Sequence, residues 1–268
     1  LGKGLTGKRV MIAASRKTEE MESLINKQGG EAVVRPLQGT TFLAEEELKS
    51  DLQKILDEQQ DWYVFTTGMG LNSLIDVAEK MGEKEFFEKG ILRANVAARG
   101  YKTANVLKNI GLTPDARDSD GTTSGLIRVL EDKNFDNMHV TVQLHGVRAP
   151  KLTEFLKSKG AASVTELLPY KHIAPESKTL EAVQREILSQ SYDAICFTTQ
   201  MQVHSLFRYA REQKFDKDLR AMFEKHTLAV AVGKVTAEAL SEEGINRFLT
   251  PENERMGAMI VELSKSYI

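Results

Sequence analysis

The sequence predicts an α/β protein built from two similar units, each a parallel sheet covered by helices. Three observations lead there. Short apolar runs bounded by glycine or proline alternate with amphipathic stretches along all 268 residues. The stretch 228–240, LAVAVGKVTAEAL, has a twin at 95–107, NVAARGYKTANVL. The twins share Gly-x-x-Thr-Ala-x-x-Leu, as Gly100, Thr103, Ala104 and Leu107 and as Gly233, Thr236, Ala237 and Leu240. Other matched residues keep nearly the same separation: Phe65 and Phe197 are 132 apart, Pro36 and Pro169 133, Gly125 and Gly257 132, Val10 and Val140 130. A repeat of that length marks duplicated domains and not a solenoid.

Taken in order, residues 9–13 predict a buried strand and 17–27 a helix with Met21, Leu24 and Ile25 on one face, stopped by Gly29 and Gly30. Residues 32–37 predict the next strand, with Pro36 near its end, which completes one βαβ unit. A polar connection over 38–41 leads to a helix over 45–59 and a strand over 61–66. Gly68 and Gly70 predict a flexible loop before a helix over 71–80. The first twin supplies a strand over 95–98 and a helix over 103–110. Residues 111–123 are loop-rich, and 124–131 predict a short helix. The order then restarts: strand 139–144, helix 149–159, strand 163–169, helix 179–190, strand 193–198, helix 203–212, the second twin, and a last helix over 257–264. The duplication is plainest where VFTTGMGLNSL (64–74) matches CFTTQMQVHSL (196–206).

Composition narrows the function. The chain is 41% hydrophobic and 28% charged, with net charge −2, so no chain-wide basic field invites nucleic acid. No apolar run approaches the roughly 20 residues of a membrane span. The first residues, LGKGLTGKRV, lack the apolar core of a secretion signal, so a cytoplasmic protein is expected. A single cysteine, Cys196, rules out an internal disulfide framework and fits a reducing cytosol. Within DAICFTT it reads as a buried structural thiol. The five histidines (139, 145, 172, 204 and 226) show no metal-ligand spacing. There is no Walker loop, no Gly-x-Ser-x-Gly elbow, and Ala13-Ala14-Ser15-Arg16 stands where a dinucleotide loop would follow the first strand.

The candidate site residues cluster at strand ends. Open parallel sheets bind ligands beyond the carboxyl ends of their strands. Thr66, Thr67 and Gly68 lie there in one copy, and Thr198 and Thr199 in the other. Gly100 and Gly233 open the twin turns, whose following helices offer free N–H groups to a carboxylate or phosphate, with Thr103 and Thr236 adding hydroxyls. The plain alternative is that threonine suits strand ends and glycine suits turns whatever the function. Arg16 and Arg148 follow the first strand of each copy, and Arg99, Lys102 and Lys234 flank the twin turns; as a set they suit an anionic ligand, singly they read as solvated surface charges. Tyr170, followed by Lys171 and His172, falls at a crossover between the halves. Phenols titrate near pH ~10, so it would act as a hydrogen-bond acid or simply pack at a hinge.

The ordered set of Phe-Thr-Thr strand ends, paired Gly-x-x-Thr-Ala-x-x-Leu turns and a Pro-Tyr crossover resembles the uroporphyrinogen-III synthase family, from about Lys8 to the last helix. The resemblance implies two α/β domains joined by a two-stranded linker, with the substrate in the cleft between them. It implies a discontinuous first domain, 1–37 with 174–268, and a second domain, 38–173. It implies cyclisation of hydroxymethylbilane to uroporphyrinogen III, with loss of water and inversion of ring D, by a monomer without a cofactor. Tyr170 would assist loss of the hydroxyl. Thr66, Thr67, Thr103, Thr198, Thr199 and Thr236, with the turn glycines and Arg148, would hold the eight-carboxylate substrate. The chain departs from the family pattern at Gln200-Met201-Gln202, at Gly68-Met69-Gly70, at Arg99, and at His145-Gly146-Val147-Arg148, which lacks an acidic residue. These changes are expected on the substrate rim. They favour, as a second reading, a non-catalytic relative that binds a tetrapyrrole or another polyanion. A third reading, a sensor of the periplasmic-binding type, conflicts with the missing export signal.

Overall fold

The computed structural model describes residues 3–39, 41–172 and 174–268. The chain divides into two compact units, Leu1–Thr40 with Ile173–Ile268, and Thr41–His172. Residue 173, at the second expected crossing, lies outside the described residues.

The first unit begins with β1 (Arg9–Ile12), α1 (Thr18–Lys27) and β2 (Glu31–Val34). The second unit then runs β3 (Thr41–Leu43), α2 (Glu45–Asp57), β4 (Trp62–Phe65), α3 (Gly68–Lys80), α4 (Lys84–Arg93), β5 (Asn95–Ala98), α5 (Gly100–Asn109), β6 (Ala116–Arg117), α6 (Thr123–Leu130), β7 (His139–Gln143), α7 (Pro150–Ser158), β8 (Ser163–Leu167) and β9 (Tyr170–His172). The chain finishes the first unit with α8 (Ser177–Leu188), β10 (Ala194–Phe197), α9 (Gln200–Glu212), α10 (Asp216–Lys225), β11 (Leu228–Ala231), α11 (Lys234–Glu242), β12 (Phe248–Leu249) and α12 (Met256–Lys265).

Both five-stranded sheets are parallel, in the orders β12-β11-β10-β1-β2 and β6-β5-β4-β7-β8. The orders match strand for strand. The first unit's βαβ start completes a sheet whose centre comes from the far end of the chain. β3 and β9 form a separate antiparallel pair, with Leu43 opposite Tyr170.

Alternation along the central strands builds two apolar layers in each unit. Ile195, Phe197, Ala229 and Ala231 face one layer, while Ala194, Cys196, Leu228 and Val230 face the other. In the second unit Tyr63, Phe65, Val96 and Ala98 face one layer and Trp62, Val64 and Ala97 the other. Strands covered on both faces need continuous apolar sequence, which is why WYVF and AICF are fully buried. Cys196 is fully buried, and that burial pushes its thiol up to about 12, as expected of a structural cysteine.

Four sequence expectations change. Gly68 and Gly70 are not a loop: α3 starts at Gly68, capped by Thr67, whose side chain accepts the Gly70 N–H at 3.0 Å. In the same way α9 starts at Gln200 and not Val203. The strand expected over 32–37 ends as a strand at Val34, because Pro36 has no N–H to give a ladder. Two helices, α4 and α10, were not expected. Each buries only two or three apolar side chains: Phe87 and Ile91, and Leu219, Met222 and Phe223.

Phe87 fixes α4 to the sheet, with its ring edge-on to Tyr63 at 6.1 Å between centroids. Phe87→Ala is therefore expected to cost about 3–5 kcal/mol in urea unfolding. Leu92→Ala on the same helix, at a side chain 48% exposed, should stay within about 0.5 kcal/mol.

Candidate functional site

In each sheet the strand order reverses at one place: between β4 and β7 in the second unit, and between β10 and β1 in the first. Such switch points open a crevice at the carboxyl ends of the strands. The sequence-predicted threonines stand at these two places.

A buried glutamine organises each of them. In the second unit Gln143, at the end of β7 and fully buried, accepts the N–H groups of Thr66 and Thr67 on its Oε1, both at 3.2 Å. Its Nε2 donates to Thr67 Oγ1 at 3.1 Å and to the Leu144 carbonyl at 2.8 Å. Thr66 Oγ1 donates to the Gln143 carbonyl at 2.7 Å. Gly70 leaves room for this amide; a Cβ there would sit 1.9 Å from Gln143 Nε2. Gly68 lets α3 approach α5, since its Cβ would meet the Lys102 carbonyl at 3.0 Å.

In the first unit the same task falls to Gln202, 2% exposed, on the first turn of α9. Its Oε1 accepts the Thr198 N–H at 2.8 Å and the Thr199 N–H at 3.4 Å, and its Nε2 donates to Thr198 Oγ1 at 2.9 Å. Thr199 and Gln202 form a capping box. Thr199 Oγ1 also donates to Gln38 Oε1 at 2.8 Å. Gln202 and Met201 (7% exposed) are therefore interior residues and not substitutions on a substrate rim. The Thr-x-x-Gln spacing could have announced this. Gln143 carried no signal beyond a polar residue closing an apolar strand.

The twin turns differ in detail. Gly100 adopts φ +73°, which favours glycine, whereas Gly233 is extended at φ −173°. α5 and α11 begin at Gly100 and Lys234, ahead of the threonines and not after them. The expected free N–H groups are already partly used. Asp118, 2% exposed, accepts the Gly100 N–H at 2.7 Å and also that of Gly121. Glu254, which is exposed, accepts the Lys234 N–H at 2.8 Å and lies against Gly233. Each turn thus holds a carboxylate of the chain itself, as expected of a helix N-terminus. Thr103 and Thr236 are 1% and 4% exposed, on the first turns of α5 and α11.

Tyr170 lies half-buried on β9. Its N–H donates to the His145 carbonyl at 3.2 Å, and the two rings lie 4.6 Å apart between centroids. Its hydroxyl is 2.7 Å from Ser73 Oγ on α3. Burial, and then the nearby Arg99 charge, hold His145 below the ordinary histidine range, so it is neutral near pH 7. Arg99 itself donates to Thr123 Oγ1 at 3.1 Å. Ser73 was not expected in the site, though it aligns with Ser205 in the repeat, and His145 was expected only as part of the altered rim stretch 145–148. Arg148 pairs with Glu166 on β8, although its side chain is 73% exposed. The structure brings Ser73, His145 and Tyr170 together, and groups Thr66 and Thr67 around Gln143; it turns Arg148 to Glu166.

Comparison with known proteins follows the same line. The family model described as uroporphyrinogen-III synthase HemD matches residues 19–261. An uncharacterised Bacillus subtilis (strain 168) protein, YjjA, is 55% identical over 267 residues, covering 100% of this chain and 98% of its own. A putative uroporphyrinogen-III synthase of Methanothermobacter thermautotrophicus is 26% identical, covering 93% of this chain and 94% of its own. Among solved structures, a mutant uroporphyrinogen III synthase from the extremely thermophilic bacterium Thermus thermophilus superposes with TM-score 0.77 at 30% identity, covering 97% of this chain and 98% of that one. Its wild-type form gives 0.69 at the same identity, covering 97% of each chain.

Gln143→Leu leaves the half-buried Thr67 N–H without its acceptor, while the Thr66 N–H keeps the backbone carbonyl of residue 143. Urea unfolding should show a loss of about 1–3 kcal/mol. Gln202→Leu should lose a comparable amount; a change below about 0.5 kcal/mol at both would refute the anchoring role.

Proposed function

The chain belongs to the uroporphyrinogen-III synthase family, and on that premise we propose that it cyclises hydroxymethylbilane to uroporphyrinogen III, with loss of water and inversion of ring D. The observation that carries this reading is the half-buried Tyr170 phenol, held beside neutral His145 and within hydrogen-bond reach of Ser73. A phenol so placed serves a step in which a hydroxyl must leave as water.

The chemistry asked of the protein is modest. The hydroxymethyl C–O bond breaks, its electron pair departs on oxygen, and a proton completes the water. The positive charge left on carbon is shared by the pyrrole nitrogen. For ring D to invert, this carbon bonds the substituted α-carbon of ring D, the bond from that ring carbon to its methylene bridge then breaks, and the freed methylene carbon closes on the unsubstituted α-carbon, which releases one proton. Much of the rate would come from holding a flexible chain in the closing shape. The amino ends of α5 and of α11, which carry Thr103 and Thr236, each suit an acetate or propionate group of such a substrate. The backbone around Thr66, Thr67, Thr198 and Thr199 gives their rims a fixed shape. Arg148 would contribute only by leaving Glu166. In this reading the protein works as a cytoplasmic monomer and takes no cofactor.

A coupled assay tests the proposal: hydroxymethylbilane is generated in situ and the porphyrin isomers are separated after oxidation. Isomer III in excess of the spontaneous isomer I is the expected result. Tyr170→Phe should lower turnover about 100-fold or more, while stability falls by only about 1 kcal/mol from the lost Ser73 contact. Isomer I alone, with saturable porphyrinogen binding, would replace the synthase by a non-catalytic tetrapyrrole binder.

A further inference from the structure

Ser73 sits on α3, 7% exposed, in the middle of a short hydrogen-bond chain. Its Oγ donates to the Met69 carbonyl at 2.9 Å and lies 2.7 Å from Tyr170 Oη. A serine hydroxyl carries one proton. A carbonyl oxygen cannot donate, so with that proton on Met69, Ser73 Oγ can only accept from Tyr170, and the phenol is the donor. In this arrangement the Tyr170 proton points at Ser73, and the phenol oxygen offers a substrate lone pairs only. Tyr170 is set as an acceptor, the wrong state for protonating a leaving hydroxyl.

A second arrangement uses the same atoms. The Ser73 O–H turns from Met69 to Tyr170 Oη, and the phenol proton is freed. Met69 loses little, because the helical pattern also gives its carbonyl the Ser73 N–H. We propose that Ser73 is a positioning residue whose hydroxyl rotates between Met69 and Tyr170, and so switches Tyr170 from acceptor to acid.

The inference rests on the synthase reading and adds a residue to it. In the switched state the Tyr170 proton passes to the hydroxymethyl oxygen as the C–O bond breaks, and water leaves. The phenolate formed accepts the Ser73 O–H. A hydrogen bond to a charged oxygen is roughly twice as strong as a neutral one, so the rotated hydroxyl gains strength as the charge develops. The proton released on ring closure returns to the phenolate, and Ser73 turns back to Met69. No atom or charge is left over.

Ser73→Ala, Ser73→Thr, Tyr170→Phe and the Ser73→Ala/Tyr170→Phe double variant separate this from a packing role. Alanine is a good helix former, so Ser73→Ala folds without penalty to α3. In the isomer III assay Ser73→Ala should lower kcat about 10–100-fold, with KM within about twofold. Ser73→Thr, which keeps the hydroxyl, should restore most of the rate. In the Tyr170→Phe background Ser73→Ala should cost nothing further. An active wild type with Ser73→Ala at full rate, or equal losses from Ser73→Ala in both backgrounds, overturns the rotor alone. A wild type that makes no isomer III overturns the synthase reading and the rotor with it.

Discussion

The structure depends on how it treats the peptide N–H groups that emerge where a central parallel strand stops. At the end of β4 the Thr66 N–H still reaches the Gln143 carbonyl at 3.2 Å, while the Thr67 N–H, and the two N–H groups after β10, have left the ladder and have not yet entered a helix. Buried and unpaired, each would cost about 1–3 kcal/mol. One carboxamide oxygen takes both in each unit, from Gln143 or from Gln202. With the amides anchored, the threonines cap α3 and α9, and the crevice rims keep one shape. A ligand site on such a rim is set by the interior.

The two units solve this problem with different parts. Gln143 comes from the neighbouring strand, so it ties β7 to β4 across the switch point. Gln202 comes from the helix that follows its own strand, so the first unit's anchor is local. The turn carboxylates differ in the same spirit: Asp118 is enclosed, whereas Glu254 is open to solvent. Duplication preserved strand order and backbone need while the side chains meeting that need moved.

Legibility followed burial pattern. β1, β4, β10 and β11 were readable because strands covered on both faces must be apolar throughout, and the 130–133-residue offset tied the copies together. α4 and α10 escaped notice because two or three buried side chains in ten residues give a faint period. The structure has no loop at Gly68 and Gly70, although glycine usually marks a turn; here it marks close approach of an amide and of α5. The strand-end threonines and Tyr170 were visible as residue types at suggestive places. Their pairings were not. Ser73, His145 and Gln143 join the candidate site through contacts spanning 97, 25 and 77 residues of sequence, and local pattern cannot report such pairings.

The enclosure of Cys196 has a use outside function. The chain carries no other cysteine, and this one lies wholly within β10 with its thiol held far from ionisation at neutral pH. For a spectroscopist the folded surface is a blank slate towards maleimides. A single cysteine placed at an exposed position such as Met69 or Tyr101 would carry a dye or spin label alone, and the wild-type background would not need to be engineered away.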